Sequence, residues 1–61
     1  MSQLTRAASS NRRSAREQRE RATWYRVRGH RGVAEDLERN ARELLEAARR
    51  QEEAATKQRA G

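Results

Sequence analysis

The chain has 61 residues, with 15 Lys or Arg against 9 Asp or Glu, a net charge of +6, and no cysteine. That length allows one small domain with a modest core and excludes disulfide stapling, so association with another chain or a ligand is the expected source of extra stability. No stretch is apolar enough to span a membrane and no apolar signal core opens the chain, which excludes membrane insertion and makes the cytoplasm, or an assembly formed there, the expected address.

The charge is uneven along the chain. Residues 1–32 hold nine arginines against Glu17 and Glu20, a net of +7, whereas residues 33–61 hold six basic and seven acidic groups, a net of −1. Fourteen of the fifteen basic residues are arginine, a bias that GC-rich coding can produce. Coding bias does not explain why acids are scarce in one half only. The first half is expected to face something negative.

Taken in chain order, residues 1–9 are expected to be a flexible or frayed arm, because Ser9, Ser10 and Asn11 compete with a helix for backbone hydrogen bonds. A basic helix follows over 10–28, with Leu4 as an earlier possible start. Proline is absent and glycine occurs only at 29, 32 and 61, which favours long helices with one break. That break is the Gly29-His30-Arg31-Gly32 turn, over 29–32. Gly29 suits the left-handed position after a helix, and Gly32 is expected to cap the next helix, with Glu35 and Asp36 in its first turn. An amphipathic second helix is predicted over 33–59. Glu17–Arg21, Glu35–Arg39, Glu38–Arg42, Glu46–Arg50 and Glu53–Lys57 all set an acid four residues before a base, which supports helix on a solvated face.

Alanine recurs every seventh residue at 8, 15 and 22, with Gly29 on the next step, and again at 34, 41, 48 and 55. A methyl group at every such position lets two helices approach closely. The predicted fold is therefore all-α, a two-helix antiparallel hairpin with an alanine-heptad seam, of a length and layout that could dimerise into a four-helix bundle as Rop does. The alternative is a pair of extended helices ordered by a partner. Ala15, Ala22, Tyr25, Val33, Leu37, Ala41, Leu44 and Ala48 are the expected packing or oligomer seam, in a homo-oligomer or hetero-complex.

At 100° per residue, Arg12, Arg16, Arg19 and Arg26 fall in one stripe about 80° wide. Arg13 lies beside it, Arg28 follows near the helix end, and Arg31 extends the charge into the turn. Guanidinium forks at this spacing can follow a phosphate backbone, and Trp24 on the flank could stack on an unpaired base. The run from Asn11 to Trp24 resembles the arginine-rich RNA-binding helices of the lambda-type phage N antiterminators over its fourteen residues. The resemblance implies that Arg12, Arg13 and Arg16 grip an RNA hairpin while Trp24 stacks on its loop.

His30 is alone in a glycine-flanked turn and reads as solvated. No phosphate loop, nucleophile–base pair or metal-ligand cluster is visible, so no catalysis, cofactor or metal is expected. The sequence points to a non-enzymatic, phage- or plasmid-type accessory protein that binds DNA or RNA through helix 1, with helix 2 as self-association or partner surface. The alternative is a structural or adaptor subunit whose arginines meet acidic protein surface within a larger assembly such as a virion.

Overall fold

The computed structural model describes residues 3–60 and contains two α-helices, α1 (Gln3–Val27) and α2 (Arg31–Ala60). They form an antiparallel hairpin about 49 Å long and 15 Å wide. Of the arm expected over 1–9, the first two residues lie outside the described part, as does Gly61. The rest is helical from Gln3, so the earlier of the two helix starts is the nearer one. The reason is packing: Ala8 is 1 % exposed against α2, and this tertiary contact outweighs the local preferences of Ser9 and Ser10.

The turn closes by a Schellman motif. Gly29 has φ 85°, its N–H donates to the Arg26 carbonyl at 3.1 Å, and the His30 N–H donates to the Tyr25 carbonyl at 2.9 Å. The rings of Tyr25 and His30 meet edge-on at 6.0 Å, supplying the side-chain contact that accompanies this motif. The second helix then starts two residues earlier than Val33. The His30 carbonyl accepts from the Ala34 N–H at 3.1 Å, so His30 occupies the cap position expected of Gly32, which sits inside α2. One residue thus ends α1 and begins α2. Glu35 and Asp36 consequently fall beyond the first turn.

Three cross-helix contacts fix the register. Asn11 Nδ2 donates to Gln51 Oε1 at 2.9 Å, Arg12 pairs with Glu52, and Arg26 pairs with Glu38 at 2.6 Å. In this register Ala8 lies opposite Ala55, Ala15 opposite Ala48, and Ala22 opposite Ala41. These six and Ala34 are the whole buried core among the described residues, each 8 % exposed or less. A core of methyl groups brings the two backbones close but buries little apolar area, so every larger apolar side chain described keeps part of its surface in solvent.

The seam divides the hairpin into two faces. Residues four after each alanine meet on one side, where the ion pairs Arg12–Glu52 and Arg26–Glu38 lie. Residues three after, or four before, each alanine meet on the other, where Asn11 meets Gln51. The first face is charged and the second nearly neutral. On the neutral face Leu4, Gln18, Tyr25, Leu37 and Leu44 are all half-buried.

Candidate polyanion-binding face

The charged face is built by both helices. Depressions along it are lined by Arg12, Arg16, Arg19, Thr23 and Arg26 from α1 and by Arg42, Leu45 and Arg49 from α2, with the carboxylates Glu20, Glu38 and Glu46 among them, so arginines outnumber acids six to three. Around the turn end, Arg26 and Arg31 line a further depression with Glu35. Of the predicted stripe, Arg12, Arg16, Arg19 and Arg26 therefore share one face, and Arg31 extends it.

The ends of the stripe are engaged. Arg12 is hydrogen-bonded to Glu52 and Arg26 to Glu38, and each guanidinium pKa is pushed up, first by the hydrogen bond to its carboxylate and then by its charge. Both pairs are about half exposed and so are screened by water. They align the two helices more than they hold them together. Between them, Arg16 and Arg19 on α1 and Arg42 and Arg49 on α2 make no ion pair within the described residues. These four guanidinium groups surround the half-buried Leu45 from two directions.

Arg42 and Arg49 were not among the sequence candidates. Glu38 was expected to pair with Arg42 four residues along, but it reaches across the seam to Arg26 instead and leaves Arg42 unpaired. Glu46 does meet Arg50, at 4.0 Å, while Arg39 pairs with Asp36 at 3.6 Å rather than with Glu35. The alanine register carried the missing signal, because Arg42 and Arg49 each directly follow a seam alanine, as Arg16 does.

The remaining candidates lie elsewhere. Arg13 is exposed beside the stripe. Arg28 stands on the neutral side, its guanidinium carbon 3.6 Å from the Trp24 ring centroid and its Nη1 donating to the Trp24 carbonyl at 3.0 Å. Trp24 is 51 % exposed and about 140° around the helix axis from Arg19. Its ring packs edge-on against Tyr25 at 5.0 Å. The base-stacking role implied by the antiterminator likeness would thus require Arg28 to leave one ring face.

Of the expected packing residues, Ala15, Ala22, Ala41 and Ala48 are buried in the seam, and Tyr25, Leu37 and Leu44 flank it half-buried. Val33 is 45 % exposed at the turn end of α2. Among the described residues no group of His, Cys, Asp or Glu could hold a metal ion, and no helix is long and apolar enough to cross a membrane. Comparison with protein-family models, curated proteins and solved structures finds no match to this chain.

Proposed function

We propose that the chain binds nucleic acid through the charged face of the hairpin, with Arg16, Arg19, Arg42 and Arg49 as the principal phosphate contacts and Arg12, Arg26 and Arg31 extending them. The observation that carries this reading is the set of four unpaired guanidinium groups, drawn from both helices onto one face. Arginine forks suit phosphate oxygens, since the planar guanidinium presents paired donors and loses less side-chain entropy per hydrogen bond than a single-point contact. Contacts to phosphate oxygens carry no sequence information, so the reading is electrostatic rather than sequence-selective.

The test is a titration of duplex DNA and of hairpin RNA, followed through Trp24 emission at several salt concentrations. Four phosphate contacts give log K falling with log salt at a slope of about −3.6 on duplex DNA, roughly a hundredfold loss between 50 and 200 mM. Arg42→Ala with Arg49→Ala should lower that slope by about 2. Arg16→Glu with Arg19→Glu should abolish binding while helicity stays intact. Affinity no greater than that of an unstructured peptide of equal charge would remove the reading.

A second reading has its own support. Trp24, 51 % exposed, stands on the outer side of α1, about 140° around the axis from Arg19, and Val27, 77 % exposed, lies at the turn end of α1 within about 20° of the direction of Arg16. Exposed large apolar groups favour a protein contact, and the chain would then be an adaptor or structural subunit of a larger assembly. A salt slope near zero, with retention by a protein partner, would favour it.

A further inference from the structure

We infer that the neutral face pairs with a second copy of this chain, the two hairpins lying antiparallel around a two-fold axis to make a four-helix bundle. The inference goes beyond nucleic-acid binding and does not depend on it. Three observations support it: the size of the face, its texture and the distribution of charge.

The neutral face carries Leu4, Gln18, Tyr25, Leu37 and Leu44 half-buried, with nothing over them. Its two rows carry no carboxylate, and their only charges among the described residues are Arg21 and Arg28 in the turn half, which antiparallel pairing holds at opposite ends of the bundle. A face 49 Å long and 15 Å wide covers roughly 700 Å², close to the ~800 Å² per partner of a standard stable interface. The alanine core buries no larger side chain among the described residues, so the leucines and Tyr25 of this face, with Val33 at 45 % exposed in its outer row, keep apolar area left to cover.

The texture of the face selects the orientation. Its outer row is small in the half that holds the chain ends, with Ala7, Ser14, Ala47 and Ala54, and bulky in the turn half, with Arg21, Arg28, Val33 and Asn40. A parallel pair would set bulk on bulk at one end and leave a gap between methyl groups at the other. An antiparallel pair lays Ala7 beside the other copy's Arg21 and Ala54 beside its Asn40. The axis then passes near Ser14 and Ala47, whose small side chains allow close approach.

Charge selects the same orientation. Residues 17–46, the turn half, hold seven arginines and seven acids, a net of zero, whereas the other half holds eight basic groups and two acids, a net of +6. Parallel pairing would put two +6 ends side by side. Antiparallel pairing places each beside a neutral end, and both arginine faces point outward on opposite sides of the bundle.

Two measurements on the full, nuclease-treated chain at high salt decide the matter, and neither involves nucleic acid. Sedimentation equilibrium should give twice the 7.1 kDa chain mass across the micromolar range. The chain lacks cysteine, so Ser14→Cys and Ala47→Cys each carry a single thiol. Mixed in equal amounts under a glutathione redox buffer, they should form the two homodisulfides, because α1 faces α1 and α2 faces α2 near the axis. Predominance of the 14–47 heterodisulfide would mean parallel hairpins and overturn the arrangement. A one-chain mass, or a two-chain mass with no cross-link at either position, would overturn the pairing through this face.

Discussion

The two internal glycines of this chain have opposite jobs, and substitution should separate them. Gly29 holds a positive φ of 85° with no atom within 4 Å of where a Cβ would sit, so Gly29→Ala tests the backbone cost alone. A left-handed alanine costs about 1 kcal/mol, a fall of about 4–8 °C in Tm for a chain of this size. Gly32 lies inside α2 in equally open space, and Gly32→Ala should raise stability by about 0.5 kcal/mol. Paired thermal melts check both signs. The role of Gly29 was legible because few residues other than glycine end a helix that way. The cap at His30 was not, since the acids at 35 and 36 resemble a first turn when hydrogen-bond partners are unseen. Only the bonds from His30 to Tyr25 and from Ala34 to His30 show one residue serving both helices.

At the scale of the helices, the seam depends on side chains being small. Ala15 and Ala48 are 1 % and 0 % exposed, and Ala15→Leu would force the backbones apart, costing about 1–3 kcal/mol by chemical denaturation. The heptad spacing announced this seam and the hairpin with it, because alanine every seventh residue on two segments leaves few other arrangements. It did not announce which side of the seam each charge would occupy until the register was known. Glu38 had two bases within reach, and spacing along one helix favoured Arg42, while the rotation of α1 brought Arg26 closer. Glu38→Gln with Glu52→Gln should leave the melting temperature nearly unchanged, since both pairs are exposed, yet strengthen nucleic-acid binding by freeing Arg26 and Arg12. Unaltered affinity in the salt titration would show that those two arginines stay out of the contact.

For the whole molecule, the hairpin redistributes charge that the linear chain divides differently. By chain half the split is +7 and −1, but across the folded rod it becomes +6 at the end that carries both termini and zero at the turn. A polyanion should therefore be drawn first to the end near Arg6, Arg12, Arg49 and Lys57, and then align along the arginine face. The excess of arginine in the first half was readable from composition. Its conversion into a lengthwise asymmetry was not, because it follows from Arg49, Arg50 and Lys57 being folded back beside residues 1–16. The same folding joins Arg42 and Arg49 to Arg16 and Arg19, so the candidate surface belongs to the hairpin and not to α1 alone.

The alanine seam is a comb with equal teeth, and a comb of that kind can mesh one tooth over. Sliding α2 by seven residues would set Ala8 against Ala48 and Ala15 against Ala41, with methyl groups still facing methyl groups. What such a slip would lose is Asn11 facing Gln51, Arg12 facing Glu52 and Arg26 facing Glu38, together with the tight closure at Gly29. Alignment in this molecule is thus encoded outside its core, in two exposed ion pairs, one part-buried amide contact and one turn. Lengthening that turn would give the rod a choice of settings.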